Sequence, residues 1–244
     1  MEALFTPEGL IALLTLTLLE IVLGVDNIIF ISIVSNKLPE EQQSKARLTG
    51  LSLALIFRVA LLLGITWIIG FTKPFFTIMD FEVSGRDLIL AIGGLFLIAK
   101  STSEISHKME GKAIDTKERK SVTFVGTIIQ IIALDIIFSF DSILTAVGLT
   151  DQLAIMIVAV VIAIIIMMAF ASRISSFIGK HPTLEVLALS FLILIGFMLM
   201  IEALHYHVPK GYIYFAVFFS LIVEIINMRV RRKANPVTLN KRIE

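Results

Sequence analysis

From Leu153 to Ser172 the chain runs for twenty residues without a charge, and from Leu10 to Val34 only Glu20 and Asp26 interrupt an uncharged stretch. Apolar runs of about 18 residues or more are long enough to cross the hydrocarbon core of a bilayer as helices. Composition agrees: 57% of the 244 residues are hydrophobic and 17% charged, against roughly 45–50% and about 25% in soluble domains. So little polar surface excludes a soluble protein, a disordered chain and a nucleic-acid binder. The runs are continuous and do not alternate, which argues against a β-barrel. The chain holds no cysteine, which removes disulfides, thiolate metal sites and cysteine nucleophiles together. The first Lys or Arg is Lys37, so the first run lacks the basic flank of a signal peptide and reads as a permanent helix.

The pattern predicts an all-α polytopic membrane protein with seven transmembrane helices, at about 9–34, 48–71, 87–101, 122–147, 153–178, 184–204 and 211–229. The third is the shortest, with a purely apolar stretch only from Leu88 to Ala99. Pro39, Pro74, Gly111, Pro182, Pro209 and Gly211 punctuate the gaps. Of the 21 Lys and Arg residues, 17 fall in alternate connections and the tail, including Lys37, Lys45, Arg47, Lys108, Arg173 and Arg231. The opposite side has Lys73, Arg86 and Lys210, and Arg58 lies inside the second span. This bias predicts an amino terminus outside and a carboxyl terminus in the cytoplasm, which needs an odd number of spans.

Leu19-Glu20-Ile21-Val22-Leu23-Gly24-Val25-Asp26-Asn27-Ile28 reappears 115 residues later as Leu134-Asp135-Ile136-Ile137-Phe138-Ser139-Phe140-Asp141-Ser142-Ile143. Four of the ten positions are identical, and Glu20 with Asp135, Gly24 with Ser139 and Asn27 with Ser142 are close substitutions. A weaker echo joins Ile92-Gly93 to Ile195-Gly196. Arg58 and Arg173 share the 115-residue offset, but one lies inside an apolar run and the other at the end of its run. The repeat unit is three helices, so its copies, about 9–101 and 122–204, cross the membrane in opposite senses. The seventh helix, about 211–229, and a basic tail, 230–244, are left over. Inverted repeats of this kind are common among secondary transporters, whose sites lie at the repeat interface near midplane.

A charged residue at the centre of a membrane helix costs roughly 2.5–3.5 kcal/mol. Glu20, Asp26, Asp135 and Asp141 must therefore be protonated or paired with a cation. Glu20, Gly24 and Asn27 share one helix face, as do Asp135, Ser139 and Ser142. Asp26 and Asp141 sit about 100° round from that face in a regular helix, and a local break at Gly24 and Ser139 would swing them inward. Regular and broken helices both fit the spacing. The ligand set is all oxygen, which suits Mn²⁺, Mg²⁺ or Ca²⁺ better than copper or a tight zinc site. Four carboxylates against one divalent ion leave an excess negative charge, to be met by protons or in part by Arg58. Metal arrival would then expel protons, a route to cation/proton antiport. Gln130 near the start of the fourth span and Glu224 in the seventh complete the list of candidates. Glu202, His205 and His207 at the outer end of the sixth helix read as solvated boundary residues rather than a metal-recruiting cluster.

The block Leu18 to Asn27 resembles the first signature of the TerC family of integral membrane proteins, and Leu134 to Ser142 is similar to its second. Arg86-Asp87-Leu88, Leu95-Phe96-Leu97-Ile98 and Val208 to Ala216 also look familial, and the likeness runs from about Pro7 to Asn227. The resemblance implies a seven-helix bacterial inner-membrane protein, in a family associated with tellurium resistance and Mn²⁺ export. Carried across by position, it makes Glu20, Asp26, Asn27, Asp135, Asp141 and Ser142 candidate ion ligands, with Mn²⁺, or Ca²⁺ or Mg²⁺, as substrate and no tightly bound cofactor. Expected partners are the lipid bilayer and the metal ion. A homo-oligomer and a cytoplasmic protein docking on the loop 101–121 fit the same picture.

Other function classes fare less well. An intramembrane aspartyl protease needs a Gly-x-Gly-Asp element, and the run here is Leu23-Gly24-Val25-Asp26. No enzymatic activity is expected. A carboxylate-lined cavity repels tellurium oxyanions. The alternative to a transporter is a membrane scaffold for a stress or tellurium-resistance complex, which does not need the buried carboxylates.

Overall fold

The computed structural model describes residues 6–78, 81–109, 122–206 and 208–231; the side chains of Val25, Asp26, Ile78, Phe81, Asp141, Lys210 and Arg231 also lie outside the description. The chain divides into two compact units, Met1–Val208 and Pro209–Glu244. Among the described residues, seven helices are long and apolar enough to cross a membrane.

In the first unit, α1 spans Pro7–Ser35 and α2 spans Glu40–Leu63. A short α3 covers Ile65–Gly70. An antiparallel hairpin follows, β1 Pro74–Ile78 and β2 Phe81–Ser84, leading into α4, Gly85–Met109. The second half holds α5 Phe124–Leu149, α6 Leu153–Gly179 and α7 Pro182–Ala203. The second unit carries α8, Lys210–Arg231, on which Phe215 and Phe219 stack with ring centroids 6.3 Å apart.

Both acidic helices begin with a threonine cap. Thr6 accepts from the Gly9 amide and Thr123 from the Gly126 amide, each at 3.1 Å, satisfying one of the free N–H groups of a first turn. Both then continue unbroken through Gly24 and Ser139, so the local break entertained from sequence is not formed. The glycine has another purpose: a Cβ at Gly24 would lie 2.3 Å from the Met167 sulfur, so its absence lets α6 close on α1.

Three further expectations need correction. The second helix starts at Glu40 and not near residue 48, because its polar first turns carry no apolar signal, and it stops at Gly64 instead of running to residue 71. The β hairpin falls in the stretch between residues 71 and 87 that the sequence reads only as a connection punctuated by Pro74. The third span continues to Met109, since Ser101 and Glu104 prolong the buried stripe of Asp87, Leu90, Gly93, Gly94 and Leu97.

α1 packs chiefly on α6, α2 on α5, and α4 on α7. A two-fold that exchanges the three-helix halves maps the first of these pairings onto the second and the third onto itself. The halves thus interlock, each acidic helix resting on the other half. At the α4–α7 crossing a Cβ at Gly94 would lie 2.5 Å from the Gly196 carbonyl oxygen, and one at Gly196 would lie 2.7 Å from that of Gly94. The symmetric pair is therefore Gly94 with Gly196, one residue away from the Gly93–Gly196 echo seen in the sequence. Apolar cores lie on both sides of the acidic crossing. One includes Leu16, Leu62, Ile143 and Ile164, the other Phe30, Leu97, Leu134 and Leu192.

The basic connections meet at one end of this unit. Lys37 after α1 pairs with Glu104 of α4, and Lys108 of α4 pairs with Glu185 of α7 at 2.6 Å.

Candidate functional site

Arg58 is the centre of the site. It lies on the buried stripe of α2 with Arg47, Gly50, Leu51, Ala54 and Leu62. Its Nη1 donates to Glu20 Oε2 at 2.6 Å. Nη2 donates to Asp135 Oδ1 at 2.8 Å, and Nε lies 3.2 Å from both Asp135 oxygens. The guanidinium therefore bridges the two carboxylates that the repeat places on α1 and α5. Glu20, Arg58 and Asp135 are 2%, 3% and 5% exposed, so the three charges are out of contact with solvent and lipid headgroups alike.

Asn27 and Ser139 gather round Asp135. Asn27 Nδ2 donates to Asp135 Oδ1 at 3.2 Å. Ser139 Oγ approaches Asp135 Oδ2 at 3.2 Å and donates to its main-chain carbonyl at 2.5 Å. Ser142 Oγ donates to the Ser139 carbonyl at 3.3 Å. Asn27 Oδ1 is buried and has no donor among the described residues. A buried amide oxygen without a donor costs about 1–3 kcal/mol.

Formal charge explains the arrangement. Two buried carboxylates and one guanidinium leave a single negative charge, and the favourable short contacts offset the desolvation of each ion. A cavity of about 10 Å³, roughly the space of one water, lies beside Glu20 and is otherwise walled by apolar residues including Leu16, Leu62, Ile143 and Met156.

Of the sequence candidates, Glu20, Asn27, Asp135 and Arg58 meet here, while Ser142 is buried further along α5 and, among the described residues, bonds only the Ser139 carbonyl of its own helix. Asp26 and Asp141 lie on the helices at the crossing, but their side chains are outside the described residues. Gln130 is half-buried and forms no hydrogen bond to the cluster among the described residues. Glu224 belongs to the second unit. Among the described residues no three His, Asp or Glu side chains converge as a metal-binding group; the two carboxylates described at the crossing, Glu20 and Asp135, are both paired with Arg58.

Sequence reasoning missed two polar clusters. Arg47, taken for a charge in the first connection, is buried on α2 and donates to Ser35, Asn36 and Ser175. Asp87, noted only within the familial stretch Arg86-Asp87-Leu88 and given no role, is buried against His205 at 3.0 Å. Glu202, expected to be a solvated boundary residue, is 5% exposed and faces Arg86 at 3.7 Å, because the first turn of α4 packs over it. His207 lies outside the described residues.

Comparison with known proteins decides the family. The model of the integral membrane protein TerC family matches residues 5–237. The chain belongs to the TerC family. It is 55% identical over 231 residues to the UPF0053 inner membrane protein YgdQ of Escherichia coli strain K12, covering 95% of this chain and 97% of that one. It is 51% identical over 232 residues to a UPF0053 protein of Haemophilus influenzae, covering 95% and 98%. The UPF0053 inner membrane protein YoaE of Escherichia coli strain K12 is 48% identical over 233 residues, which cover 95% of this chain but 45% of that relative. No solved structure matches. In this TerC protein the two blocks that carried the resemblance are the two helices that meet at Arg58.

Proposed function

We propose that this protein exports a divalent cation, Mn²⁺ first among candidates, across the bacterial inner membrane, using the crossing of α1 and α5 as the transit site. The observation that carries the reading is the buried Glu20–Arg58–Asp135 bridge with the donorless Asn27 oxygen beside it. Such a site supplies hard oxygen ligands and a resident positive charge that bridges and partly neutralises them when no ion is bound. Placement in the inner membrane follows the names of the relatives, and an outward amino terminus follows the charge bias of the loops.

Four carboxylates and Arg58 sum to three negative charges if Asp26 and Asp141 share the site. Near-neutrality in a low-dielectric interior then calls for about three protons without metal and about one with a divalent ion bound. About two protons leave for each ion that enters, which makes the exchange electroneutral. The arrangement also disfavours oxyanions, so any effect on tellurium tolerance would act through metal balance.

The test is cellular Mn²⁺ content with and without expression, alongside Glu20→Gln and Asp135→Asn. The reading predicts lower Mn²⁺ with the wild type and no lowering with either variant at equal membrane abundance. Unchanged Mn²⁺, Ca²⁺ and Mg²⁺ levels on wild-type expression would overturn it.

A further inference from the structure

At the end of the first unit away from Lys37 and Lys108, two helix caps are joined by one side-chain contact. Ser84 and Asp87 form a reciprocal cap at the start of α4. The Ser84 amide donates to Asp87 Oδ2 at 2.9 Å, and the Asp87 amide donates to Ser84 Oγ at 3.2 Å. α7 ends in a Schellman arrangement, in which the Tyr206 amide donates to the Ile201 carbonyl at 3.2 Å and the His205 amide to the Glu202 carbonyl at 3.0 Å. The residue that must turn left-handed in that motif is usually glycine. Here it is His205, with φ 64°, the only non-glycine residue of positive φ among the described residues. Its Nε2 lies 3.0 Å from Asp87 Oδ2, the same oxygen that serves the α4 cap.

A histidine in a glycine position is locally unfavourable, so the side chain is what its presence there supplies. Among the described residues, the charged groups near it are Arg86 and Asp87 from the first turn of α4 and Glu202 from α7, with Arg86 3.7 Å from Glu202. Asp87 is the one that contacts the imidazole directly. The acidic residue also lies at a helix N-terminus and the imidazole just past a helix C-terminus, where each charge complements the helix dipole. The other end of the same helix pair is built alike, with a lysine in place of the histidine. Glu185 in the first turn of α7 pairs with Lys108 near the end of α4 at 2.6 Å. Between the two clamps the helices touch backbone to backbone at Gly94 and Gly196.

We propose that the His205–Asp87 contact is a pH-sensitive latch on the α4–α7 pair, tight when the imidazole is protonated and loosened when it is neutral. The latch is independent of which solute the α1–α5 crossing handles. Protonation adds a full ion pair to the hydrogen bond, so the contact is stronger with the imidazolium than with the neutral ring.

Two measurements on the full chain test it. In thermal melts the wild-type midpoint should rise by about 2–4 °C from pH 8 to pH 6, and His205→Gln should remove that rise. His205→Gly separates a latch from a plain cap. It should melt above the wild type at pH 8, where backbone relief dominates, and below it at pH 6, where the ion pair is missing. A glycine variant that is more stable than the wild type at both pH values overturns the proposal. The absence of native cysteine allows spin labels at Leu88→Cys and Leu204→Cys, both on exposed positions. Their distance distribution should narrow at pH 6 in the wild-type background and be unchanged by pH in His205→Gln. A distribution that ignores pH in both backgrounds overturns the latch.

Discussion

α2 carries two buried arginines, Arg47 and Arg58, on one face and eleven residues apart, roughly 16 Å along the helix axis. Arg58 is shared between two carboxylates. Arg47 touches only neutral acceptors, Ser175 Oγ at 3.1 Å, Ser35 Oγ at 3.3 Å and Asn36 Oδ1 at 3.4 Å, and its Nε has no partner among the described residues. The difference separates two uses of a buried cation. Arg58 compensates charge, so removing it uncovers two ions. Arg47 ties the end of α1 to α6, so removing it loosens three hydrogen bonds and exposes no charge.

The largest effect is therefore expected from Arg58→Met, which strands Glu20 and Asp135 and should cost about 3–5 kcal/mol in a denaturation series. Acid should recover part of that loss, since protonation removes the stranded charges. Adding Glu20→Gln and Asp135→Asn to Arg58→Met should recover stability at neutral pH while leaving cation transport abolished. If the triple variant is as unstable as the single one, stranded charge is not what Arg58 prevents.

Gly50 lies between the two arginines and makes the next test. A Cβ there would come 2.8 Å from Ile131 Cγ2 on α5, so Gly50→Val should push α2 from α5 at a cost of about 1–3 kcal/mol. Because α2 brings Arg58 to Asp135, the same variant should weaken Mn²⁺-dependent transport in membrane vesicles. Retained transport would detach the Arg58 bridge from the function.

Arg47→Gln should lower stability by about 1–2 kcal/mol, the net worth of a few hydrogen bonds to neutral groups, with no recovery in acid. Transport should stay within about twofold of wild type for a variant far from the site. Smallest of all is Arg173→Gln. Arg173 shares the repeat offset with Arg58 but is exposed and rests over the Phe170 ring at 6.0 Å, so its loss should fall within about 0.5 kcal/mol.

The two arginines also mark the limit of what the sequence makes readable. Arg58 stood inside an apolar run with four buried carboxylates to answer, so charge balance pointed to its role. Arg47 stood beside polar residues near a predicted helix start and read as a loop charge. Its partner Ser175 is 128 positions away, and nothing local links them. The seven spans were legible because hydrocarbon thickness imposes a minimum length. The interlocking of α1 with α6 was not, since apolar faces look alike whether they meet lipid or protein. His205 read as a solvated boundary residue for a related reason: its turn is normally filled by glycine, and a histidine near an interface is unremarkable until its backbone angle and its Asp87 contact are seen.

The most direct test is proton release on adding Mn²⁺ to the purified protein in weakly buffered detergent solution. The account predicts about two protons released per bound ion, falling sharply in Asp135→Asn. Tight Mn²⁺ binding with no proton release, and the same affinity in Asp135→Asn, would contradict it.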